Sequence, residues 1–126
     1  NALGYRAAMG VRYPERRERA ERLERELAAI LERIVDADTE QVILFGSAAR
    51  GDLGSKSDLD LLVVRRDPRG PAARADDLYR RAQSSVALDL LVYTPDELAA
   101  AREDSSFVRR VLAEGRVVYD RSRAVA

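Results

Sequence analysis

Residues 42–64 constrain the fold of this chain more than any other segment does. They contain two short apolar runs, 42–45 and 61–64, with a polar, glycine-rich segment between them. Runs of this length that are rich in Val, Ile, Leu and Phe are typical of buried strands. A polar, glycine-rich segment is typical of a surface loop. The sequence therefore predicts two core strands joined by a short exposed turn.

Two aspartates, Asp58 and Asp60, stand at the start of the second run. Because side chains alternate along a strand, we expect both carboxylates on one face and Leu59 and Leu61 on the other. Two carboxylates at the mouth of an apolar strand repel each other and resist desolvation. A divalent cation between them would remove the repulsion, and Mg²⁺ binds mainly through one or two carboxylates plus substrate phosphates. The spacing therefore predicts a magnesium site.

Gly46 and Ser47 follow the first apolar run directly. Glycine lets the backbone approach a ligand closely, and Ser47 can begin a short helix whose free N–H groups face an anion. A phosphate cradle beside a magnesium site is the equipment of phosphoryl or nucleotidyl transfer.

Together these residues resemble the nucleotidyltransferase superfamily built on the DNA polymerase β-like palm. Its signature is Gly-Ser, a short spacer and Asp-x-Asp, and the resemblance covers residues 15–120. The matching positions here are Gly46, Ser47, Asp58 and Asp60, with Ala49-Arg50-Gly51 and Ser57 as in the minimal nucleotidyltransferases. Those small proteins are often encoded beside a helical HEPN-domain partner, frequently as toxin–antitoxin pairs. An Asp-x-Asp alone would be weak evidence, because many loops carry one.

The resemblance also implies roles for individual residues. Gly46, Ser47, Arg50 and Ser57 would bind the nucleotide, with Arg50 contacting triphosphate oxygens. Lys56 is left open between a phosphate contact and a solvated turn residue.

Asp89 is the candidate for the family's third carboxylate, in the middle of the predicted strand 86–93. The resemblance implies that Asp58, Asp60 and Asp89 together hold two Mg²⁺ ions, with Mn²⁺ as a substitute. The alternative is that Asp89 faces solvent on an edge strand or pairs with an arginine, since a charged side chain is seldom buried alone.

The remaining periodicity predicts an α/β (α+β) fold, a small mixed sheet flanked by helices. Apolar residues at helical spacing predict a helix from Pro14 to about residue 36, and acidic residues four positions before arginines, such as Glu15 before Arg19, predict a solvated helix face. Further helices are expected over 72–84, 94–102 and 105–114, and a last strand over 117–119. We expect a flexible segment over 1–13, a nucleotidyltransferase domain over 14–120 and a tail over 121–126.

Composition excludes several classes of function. The 22 basic and 22 acidic residues balance, so no global field favours strong nucleic-acid binding. The chain has no Cys and no His, which excludes thiol catalysis, common zinc sites and histidine acid–base chemistry. The absence of a membrane-length apolar run or a signal-peptide pattern predicts a soluble, cytoplasmic protein.

These observations and the resemblance predict Mg-dependent transfer of a nucleotide, AMP from ATP most of all, to a hydroxyl, with Asp89 as general base. The chain is too short to include an acceptor-binding domain, so we expect the acceptor surface on a partner or in a homo-oligomer. A tyrosine of a HEPN-type partner, with an antitoxin role, is what the resemblance implies. The alternatives are a small acceptor such as an aminoglycoside, or a non-catalytic module that only binds its partner.

Overall fold

The structure, a computed structural model, describes residues 2–49 and 58–124, with side chains over 16–49 and 58–123. Six helices and four strands follow one another in these ranges. They are α1 (Ala2–Ile34), β1 (Thr39–Phe45), α2 (Gly46–Ala49), β2 (Leu59–Arg65), α3 (Pro71–Ala82), β3 (Leu88–Tyr93), α4 (Pro95–Asp104), α5 (Ser106–Glu114), β4 (Arg116–Asp120) and α6 (Arg121–Ala124).

The strands form one mixed sheet in the order β3-β2-β1-β4. Strand β1 runs antiparallel to β2 and to β4, whereas β2 and β3 are parallel. Parallel neighbours need a crossover connection, and α3 provides it. The predicted small mixed sheet flanked by helices is therefore confirmed.

Strand β2 lies at the centre of the core and is covered on both faces. The larger cluster joins one face of the sheet to α1 and α3 and defines the α1 face. Its buried members are Leu23, Leu27, Ile30, Ile34, Val42, Leu44, Leu59, Leu61, Val63, Leu78, Ala82, Leu90 and Val92. The smaller cluster packs the other face against α4 and α5 and defines the α5 face. It consists of Ile43, Leu62, Val64 and Val111, with Phe45, Leu91, Tyr93, Leu98 and Leu112 packed against it.

The largest differences from the predicted boundaries lie towards the two ends of the chain. The predicted start of the first helix at Pro14 is wrong, because α1 begins at Ala2 and contains Pro14. A proline inside a helix removes one backbone hydrogen bond, and a helix of 33 residues continues despite that loss. The segment predicted as a C-terminal tail begins with the short helix α6.

Helix α4 begins as its sequence predicts and is fixed to its neighbours by a buried arginine. Thr94 and Glu97 form a capping box. Arg74 of α3 is 2% exposed, and its guanidinium donates to both carboxylate oxygens of Glu97 at 2.6 and 2.7 Å. It also donates to the carbonyl of Val92 on β3 at 3.1 Å. Arg74 thus joins α3, β3 and the first turn of α4.

Charged side chains form a network of ion pairs around Arg65, at the C-terminal end of β2. Arg65 donates to Asp67 at 2.6 Å and to Asp36 at 2.5 Å, and Arg81 donates to Asp36 at 2.8 Å. Partial burial opposes ionisation of Asp36, but hydrogen bonds from Arg65 and Arg81 outweigh it and hold its pKa well below the usual value. Hydrogen bonds from Arg69, opposed by burial and reinforced by Arg65, likewise depress the pKa of Asp67.

None of the helices in the described ranges has both the length and the apolar composition to cross a bilayer.

Candidate active site

The turn after β1 depends on Gly46 for two separate reasons. Its φ is +72°, a conformation that residues with a side chain rarely adopt. A Cβ at this position would also lie 2.3 Å from Oδ2 of Asp60 and 3.1 Å from its Cγ. Sequence analysis expected the glycine to make room for a ligand. The structure shows that its missing side chain makes room for the Asp60 carboxylate.

Ser47 lies in the four-residue helix α2 and is 5% exposed. The helix starts one residue earlier than predicted, at Gly46. Arg50, Lys56 and Ser57 fall outside the described residues, so the predicted contacts of Arg50 and Ser57 with nucleotide stay predictions, as does that of Ser47.

Asp60 and Asp89 are direct partners in the parallel pairing of β2 with β3. Adjacent strands lie about 4.8 Å apart, and paired residues of parallel strands point to the same side of the sheet. That side is the α5 face, because Leu62 and Leu91, two positions further along each strand, pack there. Asp89 is exposed on an outer strand of the sheet. The predicted placement of Asp89 beside Asp60 therefore agrees with the register, and its catalytic role stays a prediction.

Asp58 lies just ahead of β2, and its carboxylate is held at the edge of the sheet. Its Oδ1 accepts from the guanidinium of Arg19 at 2.7 Å, and its Oδ2 accepts from the N–H of Ala87 at 3.1 Å. The Asp58 N–H donates to the carbonyl of Ala87 at 3.0 Å. Sequence analysis missed Arg19, which it assigned to a solvated helix face. No local signal marks this contact, since it joins residues 39 positions apart.

The three predicted metal ligands lie at one end of β2 and β3 but do not form a metal-binding cluster. Among the described residues, no three His, Cys, Asp or Glu side chains are arranged to hold an ion. Asp60 and Asp89 stand side by side, whereas Asp58 is turned to Arg19. The donor atoms nevertheless fit Mg²⁺, a hard cation that takes carboxylate oxygens. Asp60 and Asp89 are register partners, and Asp58 would have to leave Arg19 to join them at an ion.

A cavity of about 180 Å³ opens beside Gly46 on the α5 face. Its lining residues are Phe45, Gly46, Ala49, Phe107, Arg110, Val111, Glu114 and Gly115. The rings of Phe45 and Phe107 meet edge to face, with centroids 5.7 Å apart and an interplanar angle of 84°. The sequence pattern gave no sign of this cavity, because it forms only when α5 packs beside β1.

The comparisons with known proteins agree with this geometry. The family model of the nucleotidyltransferase domain matches residues 24–120. The chain therefore belongs to the nucleotidyltransferase domain family, and the predicted resemblance and transferase class are confirmed.

A relative supports the family assignment, and a solved structure supports the fold. A protein of Methanocaldococcus jannaschii named "Putative protein adenylyltransferase" is 37% identical over 82 residues, which span 64% of this chain and 78% of the relative. The crystal structure of a "putative nucleotidyltransferase" from Sulfolobus solfataricus superposes with a TM-score of 0.62. At 22% identity, covering 86% of this chain and 89% of that one, it supports the fold.

Proposed function

We propose that this nucleotidyltransferase transfers AMP from ATP to a hydroxyl in an Mg²⁺-dependent reaction. The observation that carries the proposal is the register pair of Asp60 and Asp89, which sets two carboxylates side by side next to the Gly46 turn. Carboxylates in that position are poor choices for packing and good choices for binding a cation and a phosphate ester.

Asp60 and Asp89 would hold the two proposed metal ions together with Asp58. When bound, Mg²⁺ would neutralise triphosphate charge and lower the pKa of the acceptor hydroxyl. In the proposed reaction the acceptor oxygen forms a bond to the α-phosphorus as the bond to pyrophosphate breaks. The Asp89 carboxylate takes the hydroxyl proton. Its exposure on an outer strand leaves it accessible to an acceptor that approaches from solvent.

The proposed acceptor is a tyrosine of a helical, HEPN-type partner protein, which makes this chain an antitoxin. The name of the M. jannaschii relative, a "Putative protein adenylyltransferase", supports a protein acceptor over a small molecule. A homo-oligomer that supplies the acceptor, an aminoglycoside-like acceptor and a purely binding role are the outcomes that experiment must separate.

Transfer of label from [α-³²P]ATP tests the proposal. The purified protein is incubated with Mg²⁺ and a candidate HEPN-type helical protein, and mass spectrometry then locates AMP on the acceptor. We expect label on a tyrosine of the partner. Label on this chain itself indicates a homo-oligomeric acceptor, and label on an added aminoglycoside indicates a small-molecule acceptor.

Asp89→Asn is expected to abolish the label, whereas Asp76→Asn is the matched control. Asp76 is an exposed carboxylate of α3 that pairs with Arg80 at 2.9 Å, remote from the β2–β3 carboxylates. Partner binding by wild-type protein without any transfer would refute the catalytic proposal in favour of a binding module.

A further inference from the structure

The described roles of Asp58, Asp60 and Asp89 leave the cavity beside Gly46 without an assigned function. We infer that it receives the adenine base of ATP, with Phe107 against the ring and Arg110 and Glu114 at its polar edge. The inference rests on the proposed function, because it assigns a place to the nucleotide that the reaction consumes.

The position of the cavity favours a part of the nucleotide. Gly46 lines the cavity, and the Asp60 carboxylate packs against that same glycine. Phe45, another lining residue, is the register partner of Asp60. The cavity therefore adjoins Asp60 and lies on the same face of the sheet as Asp60 and Asp89. A base held there places its phosphates beside these carboxylates.

The size and lining of the cavity favour an aromatic ring. A volume of about 180 Å³ is several times the share of one water molecule in the liquid, about 30 Å³. Phe107 is 47% exposed, so its ring is accessible to a ligand in the cavity. Bases stack on aromatic side chains of this kind.

The charged residues at the cavity favour adenine over a phenol. Arg110 and Glu114 lie one turn apart on α5, and in the part of the chain with described side chains neither forms an ion pair. A guanidinium only donates and a carboxylate only accepts. The N7 edge of adenine offers a ring-nitrogen acceptor beside an amino donor, which matches both groups, whereas the N7 edge of guanine offers two acceptors. A phenol has one polar atom, which must face the phosphate.

Isothermal titration of the full chain with ATP and with inorganic tripolyphosphate, both in excess Mg²⁺, separates base from phosphate binding. We expect Phe107→Ala to weaken ATP binding about tenfold through lost stacking and to leave tripolyphosphate binding unchanged. Tyr79→Ala is the matched control, because Tyr79 is, among residues 16–49 and 58–123, the other strongly exposed aromatic residue, 55% exposed on α3. It is expected to change neither affinity.

A second titration tests the polar edge with ATP and GTP. We expect wild-type protein to prefer ATP, and Glu114→Gln to reduce that preference about fivefold, because an amide can also donate to guanine. Glu32 is an exposed residue of α1, and Glu32→Gln is expected to keep the wild-type ratio of affinities for ATP and GTP.

The outcomes distinguish failure of the proposed function from failure of the cavity assignment. Wild-type protein that binds neither ATP nor tripolyphosphate refutes the proposed function and the cavity assignment with it. Wild-type binding of both ligands, with Phe107→Ala losing neither or losing both equally, overturns the cavity assignment alone. A wild-type preference for GTP overturns the assignment of Glu114.

Discussion

The guanidinium of Arg19 on α1 donates to the carboxylate of Asp58 at 2.7 Å, and so joins the N-terminal helix to the carboxylate end of the site. The pair engages one of the three carboxylates that the proposed cation would use. Under the proposed function, a cation at Asp58 would compete with Arg19.

Removing Arg19 is expected to favour metal binding. The pair is partly exposed, with 38% and 24% of the two side chains accessible, and such pairs contribute only about 0–1 kcal/mol. Arg19→Ala is therefore expected to tighten Mn²⁺ binding two- to fivefold, measured by titration calorimetry with protein free of nucleotide. Arg22→Ala, an exposed change on the same helix, serves as the control. Weaker Mn²⁺ binding by Arg19→Ala would contradict the competition.

Asp89→Asn is expected to separate binding from chemistry. Asp58 and Asp60 remain to hold the nucleotide-associated ion, so the affinity for ATP changes little. Turnover falls at least about 100-fold, since a general base acts in the transition state. Parallel measurements of Kd for ATP and of kcat check this pattern. Wild-type turnover by the variant would leave Asp89 as a solvent-facing residue of an outer strand.

Gly46→Ala is expected to lower the free energy of unfolding by about 1–3 kcal/mol, because a side chain at positive φ is strained. The new Cβ would also meet Oδ2 of Asp60 at 2.3 Å and displace that carboxylate, so ATP binding weakens as well. Gly70→Ala is the matched control, since nothing lies within 4 Å of a Cβ there. Urea unfolding of both variants measures the difference.

A double variant identifies the source of that loss. Combining Gly46→Ala with Asp60→Ala removes the clashing carboxylate, and part of the stability is expected to return. Additive losses would mean that backbone strain acts alone.

Acid is expected to destabilise the fold through the network around Arg65. Folding depresses the pKa values of Asp36 and Asp67, so their stabilisation is complete above the unfolded pKa of about 3.9 and is lost as the pH falls towards the folded pKa. The urea concentration at the unfolding midpoint is measured between pH 7 and pH 2. We expect it to decrease once the pH is below about 4.

Asp67→Asn tests this assignment, because the amide cannot titrate. We expect it to lower stability at pH 7 by about 2 kcal/mol, since it leaves Arg65 buried with one charged partner fewer, and to flatten the acid dependence. Asp96→Asn, an exposed change in the first turn of α4, is the control. An acid dependence as steep in Asp67→Asn as in wild-type protein would exclude Asp67 as its source.

Local sequence patterns predicted much of the fold. Strand periodicity placed Asp60 opposite its apolar neighbours, and capping residues marked the start of α4. The contact of Arg19 with Asp58 and the cavity at Phe107 could not be predicted, because each depends on how a helix packs against a distant part of the sheet. Pro14 misled the prediction of α1, since proline favours a helix start but does not forbid a helix interior.

The alignment of Asp60 with Asp89 is set by six successive residue pairs between β2 and β3, not by the chain that connects them. That connection runs through α3 on the α1 face, away from the two carboxylates. Insertions or deletions in the loops on either side of α3 are therefore expected to leave the two carboxylates in the same relative position. Strand pairing alone therefore fixes the relative position of the two aspartates, and the number of residues between them in the sequence can vary.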